Sequence, residues 1–140
     1  MSASATMKKA PVTTTLTKPI EVPREDWIDY LTQCNDIFKS VYCGYWLRGV
    51  ERTKARGWLV WEDDEEHATG KEPNRKEALA AWRAGKALPA GWFRLDEAMA
   101  VKAYHEGIKL WGEGWFETHG DADGYDIALQ MAMLGELRYS

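Results

Sequence analysis

The hexapeptide DADGYD, Asp121 to Asp126, is the sharpest concentration of chemistry-bearing side chains in the sequence. Alternating carboxylates ahead of a glycine suit a Ca²⁺ loop, because a hard cation needs several oxygens converging on it. The EF-hand spacing fails twice: Asp126 stands where the turn needs Gly, and Ala132 where the loop needs a bidentate Glu. The competing expectation is a helix N-terminus, where Asp side chains accept from the first backbone N–H groups and favour the helix dipole. His119 precedes this segment, and with Asp121 and Asp123 it would form a metal or acid–base cluster if the loop folds back. A small metal-assisted hydrolase is one functional reading on that basis. His67 and His105 supply neither an i, i+4 pair nor an HExxH, so surface or core-edge histidines are the plainer expectation. The serines, Ser2, Ser4, Ser40 and Ser140, form no GxSxG, and no GxGxxG or P-loop occurs. No catalytic residue, metal or cofactor is therefore assigned.

A second constellation is basic and aromatic. Arg48, Arg52, Lys54 and Arg56 fall close together and are flanked by Trp46 and Trp58. Cations beside aromatic faces are what phosphate contact with base stacking requires. Glu62, Asp63, Asp64, Glu65 and Glu66 follow directly. Residues 1–60 carry nine basic and six acidic groups, and residues 61–140 carry nine and sixteen, so the chain is dipolar within a net charge of -4. A duplex-DNA coater would show a basic excess, and a DNA mimic a much larger negative charge. A solvated tip and loop that neutralise each other, a nucleotide- or nucleic-acid-contacting tip, and pairing of the two patches between subunits of a homo-oligomer all fit.

These groups need elements to hold them. The chain of 140 residues is 45% hydrophobic and 29% charged, which suits a packed domain and not a disordered chain. No apolar run approaches the ~20 residues of a membrane helix. The first twenty residues are rich in Ser, Thr, Ala, Lys and Pro, lack the roughly 7–15-residue apolar stretch of a secretory signal, and are expected to form a flexible tail before a domain over 21–140. Cys34 and Cys43 match no CxxC spacing and are expected as buried free thiols in a reducing cytoplasm. Trp27, Leu31, Cys34, Phe38 and Val41 recur at helical steps, predicting one amphipathic helix after Pro23. Tyr45 to Val50 and Trp58 to Trp61 predict a β-hairpin around ERTKAR. Asn74 with Glu77 predicts a capping box for a second helix ending at Gly85. Leu88 to Phe93 is expected as a connector, Asp96 as the N-cap of a third helix to about Trp111, and Asp121–Asp123 as the start of a fourth. The fold class expected is α+β: about four helices packed with a small antiparallel sheet, to which the C-terminal LRYS adds an edge.

The eight tryptophans divide along these elements. Trp27 and Trp82 belong to helical apolar stripes and are expected in the core. Side chains alternate along a strand, so Trp58 points opposite to Trp61. Trp92, Trp111 and Trp115 sit in Gly-containing connectors, where they would line a ligand pocket or interface, or lock an irregular core.

The C-terminal stretch DADGYDIALQMAMLGELRYS resembles the closing segment of small uncharacterised phage and prophage proteins, through Asp121, Asp123, Asp126, Gln130, Gly135, Glu136 and Tyr139. The segment Gly44–Tyr45–Trp46 resembles the aromatic stretch after the first helix in that group. The likeness covers about a third of the chain and carries no activity. It implies a phage-type accessory protein, counter-defence being one natural role, that binds a protein, nucleotide or nucleic-acid partner in a bacterial cytoplasm.

Overall fold

The computed structural model describes residues 20–63 and 72–139. All of the expected tail but Ile20, which packs on the larger core, and most of the acidic loop, with His67, lie outside the described residues. Within them the protein is an α+β fold. A π-helical turn, Arg24–Ile28, continues as the α-helix Asp29–Gln33, together α1. A single 3₁₀ turn, Asp36–Phe38, leads into the hairpin of β1 (Leu47–Thr53) and β2 (Gly57–Glu62). Then come α2 (Arg75–Ala84), β3 (Trp92–Leu95), α3 (Glu97–Trp111), the short α4 (Trp115–His119) and α5 (Ala122–Leu134). The three strands form an antiparallel sheet in the order β1-β2-β3. No described helix is long and apolar enough to cross a membrane.

Both faces of the sheet are covered, and the pleat decides which tryptophan goes where. Leu59, Trp61 and Trp92 face α2 and pack with its Ala78 and Trp82. Trp58, Val60, Phe93 and Leu95 face the larger core, shared with α1, α3, α4 and α5. Trp58 and Trp61 thus point to opposite faces, as alternation requires. Trp27, at the centre of the larger core, donates its indole N–H to the Ala100 carbonyl at 2.7 Å. Its ring takes edge contacts from Trp115 at 5.4 Å and Tyr125 at 5.1 Å between centroids. Gly107 makes room for this packing. A Cβ there would lie 2.1 Å from the Trp115 ring, which is itself fully buried and has nowhere to move.

Several elements depart from the sequence expectation, each for an identifiable reason. The first helix stops at Gln33, because Cys34 turns extended at φ -108° and ψ 149°. Asn35 and Asp36, whose side chains compete with helical backbone bonds, begin the 3₁₀ turn that buries Ile37; of the predicted stripe Trp27 and Leu31 are buried and Phe38 only partly so. Cys34 and Val41 are consequently exposed, while Cys43 is the buried thiol. The capping box at Asn74 does not form: Asn74 adopts the left-handed conformation at φ 57° and its side chain makes no cap bond. Asp96 and Asp121 do cap, accepting from Met99 N–H and Gly124 N–H at 2.9 Å each. Trp92 and Phe93, expected at the end of a connector, open the strand Trp92–Leu95 because β2 offers it a ladder. The C-terminal residues 137–139 add no strand and are held by side chains instead.

Candidate functional site

The hairpin does not present its four basic side chains as one patch. Arg52, opposite Trp58 in the ladder, donates to Gln33 Oε1 at 2.8 Å. Arg56 reaches across to α2, donating to the Arg83 carbonyl at 3.2 Å and lying 5.5 Å above the Trp82 ring. Lys54 is exposed in the turn. Arg48 pairs with the buried Asp63, Nε to Oδ2 at 3.3 Å, and donates to the Gly44 carbonyl. Arg48, at the root of the hairpin and not at its tip, and the start of the acidic stretch therefore neutralise each other within one chain. The flanking tryptophans part company as well: Trp46 is fully buried and Trp58 only partly.

What survives of the basic–aromatic constellation is a groove of about 520 Å³ with Trp58, Phe38, Arg48 and Ser40 on its walls. The Phe38 and Trp58 rings meet edge to face at 4.8 Å. Gly49 on β1 makes that arrangement possible, because a Cβ there would fall 2.8 Å from Phe38 and 2.9 Å from Trp58. The Trp58 indole N–H is out of water and meets no acceptor among the described residues. The aromatic wall can take a flat ring, and Arg48, which lines the same groove, has its guanidinium held by Asp63 and the Gly44 carbonyl.

A second polar assembly joins the hairpin root to the C-terminus. Asp126, 7% exposed, accepts from the Tyr45 hydroxyl, from Trp46 Nε1 at 2.7 Å and from Gln130 Nε2 at 3.0 Å. Gln130, fully buried, also donates to the Tyr139 carbonyl at 2.9 Å. Its Oε1 accepts from the Arg138 and Tyr139 N–H groups at 2.9 and 2.8 Å. All four bonds that an amide side chain can make are thus used. The Tyr139 ring stacks on Trp46 at 5.5 Å, and its hydroxyl and the Arg138 guanidinium both meet Glu62. The residues of the Gly44–Trp46 segment and of the C-terminal segment are therefore parts of one construction. Sequence reasoning missed Asp126 and Gln130 as a pair, although their i, i+4 spacing on an otherwise apolar helix was the available signal. Burial, and secondarily Asp126, pushes the Cys43 thiol well above its ordinary range, which makes it unreactive.

Tyr139 gives this junction a pH signature. Burial, followed by the hydrogen bond to Glu62, pushes its phenol up from 10.0 to about 12. A raised acid stabilises the fold fully below its ordinary value and less as pH climbs through the raised one. The expected result is a fall in unfolding free energy between pH 10.0 and about 12 that Tyr139→Phe reduces, measured by urea denaturation at stepped pH. An equally steep fall in that variant would assign the effect elsewhere.

The acid–base candidates do not converge. His119 stacks flat on Trp111 at 4.5 Å and shares a hydrogen bond with Thr118, while Asp121 is occupied as the α5 cap and Asp123 is exposed. Among the described residues no group of three or more His, Cys, Asp or Glu side chains is placed to hold a metal ion. Trp92, Trp111 and Trp115 share no cleft: Trp92 packs on the α2 side of the sheet, Trp115 is fully buried in the larger core, and Trp111 lies 5.5 Å from it at the edge. Compared with family models, with curated proteins and with solved structures, the chain matches none.

Proposed function

We propose that this protein is a non-enzymatic accessory protein of the phage type, acting by binding in a bacterial cytoplasm, and that the Trp58 groove is its binding site. The observation that carries the reading is the meeting of Trp58, Phe38 and Arg48 on one groove. The chemistry it suits is a nucleotide, free or as one unit of a single strand: the ring lies against Trp58 and the phosphate meets Arg48. The net charge of -4 argues for a short contact and against coating a duplex. The phage character is supported by the resemblance of the two segments that Asp126 joins.

The test is calorimetric titration with nucleoside triphosphates and fluorescence anisotropy with a labelled oligothymidylate. Trp58→Leu is expected to weaken binding about tenfold, the worth of one stacked base. Arg48→Gln is expected to weaken it and lower the salt slope by about one. Absence of binding, or affinities that Trp58→Leu leaves unchanged in a variant that still melts cooperatively, would contradict the proposal.

A further inference from the structure

We propose that the outer edge of β3, which pairs with no other strand among the described residues, is a self-pairing surface, on which a second copy of this chain docks strand to strand as a two-fold dimer. The phase of the β2–β3 ladder follows from one bond, Glu62 N–H to the Gly91 carbonyl at 3.0 Å. These residues extend the register in which Trp61 opposes Trp92 and Val60 opposes Phe93. Bonded and non-bonded pairs alternate in an antiparallel ladder. Phe93 and Leu95 therefore bond to β2, and Trp92 and Arg94 turn their backbone groups outward. Asp96, still extended at φ -111° and ψ -174°, continues the alternation.

Two of the outward groups are already taken. Trp92 N–H donates to the Pro89 carbonyl at 3.2 Å, and the Asp96 carbonyl accepts from Ala100 N–H at 2.9 Å. Among the described residues no hydrogen bond reaches the Trp92 carbonyl, either backbone group of Arg94, or the Asp96 N–H. Along the strand the edge thus offers an acceptor, then a donor with an acceptor, then a donor. That order is its own complement when reversed. Two copies related by a two-fold axis at Arg94 exchange both Arg94 bonds and join each Asp96 N–H to the other copy's Trp92 carbonyl.

The side chains agree with this pairing. The Arg94 guanidinium is drawn back onto the Ala81 and Lys86 carbonyls at 3.0 and 2.6 Å, which takes the two like charges off the axis. A groove of about 400 Å³ runs beside the edge, with Leu88, Phe93 and Met99 as apolar walls. The opposite edge, β1, carries the usual protection against pairing: an irregularity between Gly49 and Glu51 and the charges of Arg48, Glu51 and Arg52. A foreign extended peptide would need only a free edge, whereas this edge is self-complementary, and that selects a second copy.

Sedimentation velocity of the full chain over a concentration series is the test. The expected species at high concentration has twice the mass of the 16.0 kDa chain. Arg94→Pro, which removes the axial donor at an edge position that tolerates Pro, is expected to abolish it. That variant also loses the Arg94 side-chain bonds to the α2 end, so a second measurement uses the unaltered protein. The Arg94 and Asp96 amides are expected to be protected from hydrogen exchange in concentrated samples and to lose protection on dilution. A monomer at every concentration, a dimer that survives Arg94→Pro, or a dimer whose Arg94 and Asp96 amides exchange freely would each overturn the proposal.

Discussion

Asp126→Ala is expected to destabilise the protein by about 2–5 kcal/mol, because it strands several buried donors at once. The carboxylate serves the Tyr45 hydroxyl, the Trp46 indole and the Gln130 amide. Trp46 and Gln130 are fully buried, so water cannot replace the lost acceptor without opening the core. Loss of Gln130's anchor also loosens Arg138 and Tyr139, and with them the ring stacked on Trp46. Asp126→Asn keeps the shape and one acceptor oxygen, and Tyr45 is only partly buried, so a smaller loss of about 1–2 kcal/mol is expected. Urea denaturation reads both values. A loss below about 1 kcal/mol for the alanine variant would show that the junction is solvated and that its bonds are replaceable.

Trp27→Ala is expected to cost about 3–5 kcal/mol, the range for emptying a large aromatic site in a close-packed core. The ring is wholly inaccessible and touches α3, α4 and α5 at once, through Tyr104, Trp115, Phe116 and Tyr125. Its neighbours are themselves large rings and cannot collapse into the space left behind. Trp27→Phe retains most of the packing and loses the bond to the Ala100 carbonyl, for about 1–2 kcal/mol. Trp111, partly exposed at the rim of the same cluster, is the control: its replacement by Leu is expected to cost under about 1 kcal/mol. Thermal melts of the three variants rank the sites, and an equal cost for Trp27→Ala and Trp111→Leu would contradict the assignment of Trp27 as the centre.

Local signals made much of this fold legible. Asp96 and Asp121 cap because a short acceptor ahead of an apolar period satisfies the first helical N–H groups whatever lies around it. The opposed directions of Trp58 and Trp61 follow from strand alternation alone. What escaped the sequence is non-local. The apolar period runs unbroken past Cys34, yet the chain turns there and buries Ile37, a choice made by the sheet that Phe38 then packs against. Trp92 to Leu95 becomes a strand only because β2 lies beside it, and four residues between turns carry little period of their own. Asp126 stood in the sequence as the residue that breaks the EF-hand spacing and as one position of the phage-like closing segment. Only the arrival of Tyr45 and Trp46 from the hairpin root makes it a buried acceptor. The basic cluster was legible as residues but not as a surface, since Arg52 and Arg56 each found a partner on a different helix.

The groove at Trp58 is the claim on which the functional account rests, and the indole N–H groups report on it directly. Trp27, Trp46, Trp92 and Trp115 donate to fixed acceptors, whereas the Trp58 N–H has none among the described residues. A nitrogen–proton correlation spectrum of the labelled protein, titrated with oligothymidylate, follows all eight indoles at once. The Trp58 signal is expected to move to saturation while those of Trp27 and Trp115 stay in place. Saturable binding that leaves the Trp58 signal where it was would contradict a site at Trp58.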